Sequence, residues 1–244
     1  MKTSELLNIV LVVVLILVLV RYNVKEANGE VNEASIVNSV AVMDSLHVKK
    51  SVGKRPFLFP MPVGIIGSYD SVGTPNIMAA SWIGIVNSNP MSIGVSLRPA
   101  THTYKNVMRT KAFTVNIANE KLIEYVDWVG HYSGKDINKF DLLPLTPIKS
   151  KLVNAPYVHE FPVVLECEVV NITNLGKHTH FVGKIMDVKV DTAILKDNEK
   201  FVDINKLRPV MTGHGSGYFG IGENLGRGGK VYQRLGITPD VEAK

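Results

Sequence analysis

The residues Pro75-Asn-Ile-Met-Ala-Ala-Ser-Trp82 and, a short way on, Ser96-Leu-Arg-Pro-Ala-Thr-His-Thr-Tyr-Lys-Asn106 decide how the rest of this chain is read. The first run lies in a segment, Asn76 to Val86, that reads as a strand with Gly84 inside it. Successive strand residues face opposite ways, so Asn76, Met78, Ala80 and Trp82 fall on one face and Ser81 on the other unless a bulge intervenes. The second run is a polar turn feeding a short helix, with Thr101 or Thr103 as its cap and its end near Arg109. Unpaired N–H groups at a helix start favour an anion. Arg98 adds charge-assisted donors for a phosphate, and Thr101, His102 and Thr103 add hydrogen bonds at short range. Together the two runs suit a phosphorylated planar ring, whose phosphate takes the arginine and backbone donors while the ring takes strand edges and stacking. A merely capped surface helix explains the threonines and makes no use of Arg98.

Outward from this stretch the chain reads as strands. Pro62 to Tyr69 is rich in Val, Ile and Gly, Asp70-Ser-Val-Gly-Thr-Pro75 turns, Asn87-Ser-Asn-Pro90 turns again, and Met91 to Leu97 follows. Ala112 to Ile117 alternates, a helix is expected over Glu120 to Val129, and Pro162 to Ile172 and His178 to Val190 form a second strand pair around Asn174-Leu-Gly176. Many short strands with few helices predict a mainly β fold, a small closed barrel that removes its sheet edges. The Gly-rich tail, Gly213 to Gly229, follows no βα unit and lacks the spacing of a dinucleotide fingerprint, so it is expected to be a loop. No Gly-x-Ser-x-Gly elbow or phosphate-loop lysine motif occurs, which sets aside the common hydrolase and NTPase classes.

The chain has 244 residues, 45% of them hydrophobic, enough for one substantial core, and no long Gly/Ser linker divides it. Its net charge of +5 comes from scattered residues, which leaves no electrostatic footprint for nucleic acid. The single cysteine, Cys167, sits in the alternating run Val-Leu-Glu-Cys-Glu-Val-Val and reads as a core thiol. His178 and His180 share a strand face, but no third histidine or carboxylate pair stands at ligand spacing, so no metal site is expected.

The N-terminus differs in kind. Leu6 to Val20 is apolar apart from Asn8 and is flanked by Lys2, Arg21 and Lys25. As a helix it spans roughly 22 Å, short of a hydrocarbon core of about 30 Å. No small-x-small cleavage pattern follows Val20, so residues 1–22 are read as an uncleaved signal-anchor helix, with a cleaved signal peptide as the alternative. Residues 23–55 are read as a polar tether and 56–244 as the folded domain. The domain is expected outside the cytoplasm, membrane-anchored or, after cleavage, secreted. The flanking charges nearly balance and leave orientation open. Outside the cytoplasm soluble nicotinamide cofactors are absent, which favours a protein or quinone reductant.

The two opening runs resemble the flavin reductase-like (flavoredoxin) family, whose signature couples an Asn-Ile-Met-x-x-Ser-Trp strand to a later His-Thr before a helix. Two further segments extend the resemblance. Gly130-His-Tyr-Ser-Gly-Lys-Asp-Ile-Asn-Lys-Phe140 is similar to the family's Gly-x-x-Ser-Gly-(Arg/Lys)-Asp-x-x-Lys-Phe loop, and Gly176-Lys-His-Thr-His-Phe-Val-Gly183 is similar to Gly-Asp-His-Thr-x-Phe-x-Gly, with Lys177 where the family has Asp. The match runs from about Phe59 to Gly229 and thins after Asp187. It implies a six-stranded Greek-key split β-barrel with a few short helices, a homodimer, and FMN bound non-covalently near the subunit interface.

By the same resemblance, Asn76, Met78, Ala80, Ser81 and Trp82 serve the flavin ring and ribityl chain. Ser96, Leu97, Arg98, Thr101, His102, Thr103 and Tyr104 serve the phosphate turn and adjoining ring, and Ser133 and Lys139 come from the loop, which in the family often reaches the flavin from the partner subunit. His178 is the implied catalytic residue, polarising the flavin or guiding the donor. The implied activity is an oxidoreductase passing electrons from NAD(P)H or another donor through FMN. Two alternatives stand beside it, a membrane-tethered FMN electron carrier for a protein partner and a flavin-binding module without redox exchange.

Overall fold

The computed structural model describes residues 49–196, 200–213, 217–226, 230–231 and 234. The expected hydrophobic helix over 1–22 and the tether as far as residue 48 lie outside the described residues. By internal contacts the chain forms two units, Met1–Arg55 and Pro56–Lys244, and the strands and helices of the described residues belong to the second.

The strands of the main sheet are β2 (Gly64–Tyr69), β3 (Pro75–Ala80), β4 (Ile83–Ser88), β5 (Met91–Leu97), β6 (Ala112–Ile117), β9 (Val163–Asn174) and β10 (Thr179–Val190). They pair antiparallel in the order β3-β2-β6-β9-β10-β5-β4. The two ends of this ladder, β3 and β4, are consecutive in the chain, with Ser81 and Trp82 between them. One bent strand therefore joins both edges and curls the sheet into a barrel. Ala80 lies opposite Gly64 on β2, whereas Ile83 lies opposite Val95 on β5. A methyl group on Gly64 would sit 2.6 Å from Ile83 Cδ1, so closure at this seam depends on a residue without a side chain.

Counting the bent strand once gives the six expected strands. The expectation of a single straight strand from Asn76 to Val86 is corrected, because a chain that changes partners from one edge to the other must turn where it leaves the first ladder. That turn also ends the expected alternation. Met78 and Ala80 pack on the barrel core and Ile77 and Ala79 on the opposite side, while Trp82 is turned out and is 42% exposed.

Inward-facing residues fill the barrel: Ile66, Val95, Leu97, Phe113, Val115, Leu165, Cys167 and Phe181, joined by Val107 from helix α1 (His102–Thr110). Each such fully buried side chain contributes about 1.5–3 kcal/mol. Cys167 is a core thiol, pushed up to about 12 by burial and by the neighbouring Glu166 charge. A second apolar cluster lies on the other face of β2 and β3, where Ile65 and Ile77 meet Val126 and Val129 of helix α2 (Ile123–His131). The helix expected over Glu120 to Val129 thus begins as a 3-10 turn, Glu120–Leu122, and runs on to His131.

The remaining elements are small. Strand β7 (Pro147–Lys149) pairs with β8 (Pro156–Val158), and a short helix, α3, covers Ile204–Leu207. The tail expected as pure loop contains strand structure: β12 (Gly217–Phe219) pairs with β11 (Met211–Gly213), which pairs with β1 (Met61–Pro62). Its glycines hid a short ladder because backbone pairing needs no side-chain pattern.

Candidate functional site

A cleft of about 260 Å³ opens where β3, the turn after β5, the start of α1 and the loop after α2 converge. It brings together Asn76, Met78, Arg98, Thr101, His102, Thr103, Ser133 and Lys139. Thr101 is the helix cap: its backbone is extended and its Oγ1 accepts from Tyr104 N at 3.3 Å. No acidic residue occupies the first turn of α1. Its first N–H groups have no acceptor within the helix and favour an anion. Arg98 is exposed beside them, and its guanidinium makes no hydrogen bond or ion pair among the described residues.

Asn76 is nearly buried and holds the cleft wall together. Its Nδ2 donates to Thr103 Oγ1 at 2.9 Å and to Ser68 Oγ at 3.3 Å, and Asn106 Nδ2 donates to the same Ser68 hydroxyl at 3.2 Å. This network fixes β2, β3 and α1 to one another. Ser68 and Asn106 were not singled out from the sequence; the signal for Ser68 was a hydroxyl within an otherwise apolar strand. Gly134 closes over Asn76 so tightly that a Cβ there would lie 2.0 Å from Asn76 Oδ1. Beyond this contact a smaller cleft of about 200 Å³ shares Asn76, His102, Gly134 and Lys139 and adds Asp70, Lys135 and Asp136.

Lys139 is an expected member whose burial is not expected. It sits in a polar loop by sequence, yet it is 3% exposed, and its Nζ donates to Ile77 O at 2.8 Å and Val129 O at 2.6 Å. Burial lowers its amine to about 8. Burial also holds the His102 imidazole below its ordinary value, with Asp70 pulling it upward and Lys135, Lys105 and Lys139 pushing it down. The cleft is thus lined by cationic and donor groups at its arginine end and floored by Ile77 and Met78.

Trp82 and His178 do not line this cleft. Their rings stack on each other, centroids 4.6 Å apart at 28°, where the bend enters β4 and the chain enters β10. Ser96 joins them: its N–H donates to Trp82 O at 3.0 Å, and its Oγ lies 2.9 Å from His180 Nδ1. Arg98 links the two regions, being one residue beyond Leu97, which pairs with Thr179, as His178 is one residue before it. The side chains of Leu97 and Ala80 go to the core, and Tyr104 packs edge-on against Phe181 at 5.6 Å. Leu97, fully buried, can therefore serve a ligand only through backbone groups, whereas Ala80 and Tyr104 are only partly buried, and Ser81 marks the bend. His131 and Tyr132, from the end of α2, also reach the cleft. Among the described residues no three His, Cys, Asp or Glu side chains gather as metal ligands.

The donor set suits one phosphate with an adjoining flat ring. Arg98 and the α1 start form an anion seat among the described residues, and the Trp82–His178 stack, outside the cleft, is linked to it by the β5–β10 register at Arg98. Solved structures with this fold carry related names. Flavoredoxin of Desulfovibrio vulgaris (Miyazaki F) is 43% identical and superposes with a TM-score of 0.70, covering 74% of this chain and 97% of that one. A flavoredoxin from Methanosarcina acetivorans is 27% identical with a TM-score of 0.71, covering 77% and 99%. A ferric-chelate reductase (NAD(P)H) of Archaeoglobus fulgidus is 31% identical over 122 residues, 49% of this chain and 68% of that protein. The flavin reductase like domain matches residues 56–207, and the chain belongs to that family of flavin-binding redox proteins.

Proposed function

We propose that this chain is an FMN-dependent oxidoreductase of the flavin reductase or flavoredoxin type, taking electrons from NAD(P)H or another donor. The observation that carries this reading is the unengaged Arg98 guanidinium beside the acid-free, Thr101-capped start of α1, with the Trp82–His178 stack linked to it by the β5–β10 register. FMN, when bound, supplies reversible acceptance of hydride or electrons. Arg98 and the first N–H groups of α1 would hold its phosphate, and the single anion seat among the described residues favours FMN over a dinucleotide flavin. Trp82 would offer the ring an apolar face. His178, held against that indole, would keep an imidazole at the site to hold or hand over a proton. Asn76 and Gly134 keep the cleft wall closed between them.

Reduction experiments separate this from the alternatives. Anaerobic bleaching of the bound chromophore by NADH or NADPH is the expected result. Bleaching only by dithionite or a reduced protein would make the chain an electron carrier, and a colourless purified protein would remove the flavin reading altogether.

The same reading includes a homodimer with the flavin near its interface, and a domain held outside the cytoplasm by the apolar run Leu6 to Val20. Cell fractionation with N-terminal sequencing tests the anchor. An intact Met1 in the membrane fraction is expected, and a new N-terminus in a soluble fraction would mean cleavage and secretion instead.

A further inference from the structure

We propose that His180 is a positioning residue that sets the hydrogen-bond direction of Ser96, so that proton uptake by the imidazole changes what Ser96 presents to a ligand on the Trp82 face. The inference rests on the reading that FMN lies against that face. On β5 the residues Ile93, Val95 and Leu97 point into the core, which places Gly94 and Ser96 on the outer side; on β10 Phe181 points inward and His180 outward. The backbone N–H of Ser96 is already taken by Trp82 O, so its hydroxyl is the group left to answer a ligand.

That hydroxyl is 2.9 Å from His180 Nδ1. The imidazole lies directly over Gly94, where a Cβ would come within 2.5 Å of its Cε1 and 2.6 Å of its Nε2. A glycine at this place therefore makes room for the ring. The Nε2 atom makes no hydrogen bond among the described residues, so Nδ1 and Ser96 Oγ are each other's defined partners.

A hydroxyl has one proton. When Nδ1 is unprotonated it accepts that proton from Ser96, and Ser96 offers a ligand only lone pairs. When the ring is an imidazolium, Nδ1–H donates to Ser96 Oγ, and the hydroxyl hydrogen is released to donate outward. For the neutral tautomer with its proton on Nε2, one proton added at Nδ1 thus reappears as one donor at Ser96, free to meet an acceptor on a ligand. By strand register, the charged or titratable groups around His180 are His178, Lys177 and Lys184 on its own strand and Arg98 at the end of β5. The facing part of β4 supplies Trp82, Gly84 and Val86, and β9 supplies Thr173 and Asn171, none of which titrates. The carboxylate closest by register is Glu168 on β9, which stands opposite Lys184, four residues along the strand from His180.

The test measures FMN affinity of the full chain, stripped and reloaded, from about pH 5 to pH 8, the range in which an imidazole changes charge. Wild type is expected to bind about three- to tenfold more tightly at the acid end, the worth of one hydrogen bond, relative to His180→Asn and to Ser96→Ala measured at the same pH. The phosphate's own titration is common to all three and cancels in the comparison. His180→Asn,Ser96→Ala together should do no more than Ser96→Ala alone. A pH component that survives Ser96→Ala but not His180→Asn would show His180 acting directly and overturn the proposal, as would equal slopes in all variants. Should wild type bind no FMN, the functional reading fails separately, and the coupling is read from the NMR titration of His180 in the flavin-free chain. There, a titration midpoint unmoved by Ser96→Ala overturns it.

Discussion

Arg98 is informative because only its backbone serves the fold, its carbonyl accepting from Thr101 N and Oγ1. It is exposed and its guanidinium has no partner among the described residues, so replacing it removes neither packing nor an internal ion pair. On the proposed function, its place beside the acid-free start of α1 makes it the phosphate's arginine. Arg98→Ala is expected to leave the protein folded and to weaken FMN by about 1.5–3 kcal/mol, the range for a hydrogen bond to a charged group. That is roughly tenfold or more in affinity. Fluorescence titration of FMN checks it, and unchanged affinity in the folded variant would move the phosphate seat elsewhere. At this scale the sequence was readable where a residue acts on its immediate neighbours: Thr101 caps the helix that follows it, and Arg98 stands in its polar turn. Ser68 and Asn106 were not readable as site supports, since what they hold is brought to them by other strands.

Among elements, Lys139 is the pin. Its ammonium ties the loop after α2 to the backbone of β3 at Ile77 and of α2 at Val129, and burial lowers it to about 8 from an ordinary 10.5. An amine depressed on folding binds fewer protons in the native state than in the unfolded one between those two values. Stability therefore rises with pH through that window, and the cost of burying the charge is fully present below about pH 8. Comparison with Lys139→Met by urea unfolding at about pH 7.5 and about pH 10 should show the gap moving in favour of wild type at the higher pH, by at most about 3 kcal/mol. A gap that stays constant would mean that the ammonium carries no burial penalty. Elements with a local pattern were legible: Met91–Leu97 and Ala112–Ile117 are strands with the bounds the sequence suggested, although burial of Thr114 and Asn116 removes the alternation of the second. Lys139 was named through the family loop, but its burial was not legible, because a lysine among Asp, Asn and Lys residues has the composition of a solvated loop. Only the approach of Ile77 and Val129 buries it.

For the whole molecule, the decisive event is the turn at Ser81 and Trp82, where one strand leaves β2 and joins β5. The run Asn76 to Val86 is continuously apolar or small apart from Asn76 and Ser81, which reads as one strand and does not announce the break. It is imposed by the closing of the barrel, with Gly64 leaving room for Ile83. The consequence is functional as well as architectural, because the turn takes Trp82 out of the core and sets it against His178, on the side of the barrel reached by Arg98. On the proposed function, the anion seat and aromatic face found among the described residues would take a single-phosphate flavin. The most direct test is to purify the full chain, release any chromophore by heat and identify it by chromatography. A yellow protein that yields FMN as its main flavin is the expected result; FAD as the main species, or a well-folded protein that neither carries nor takes up flavin, would contradict the proposed function.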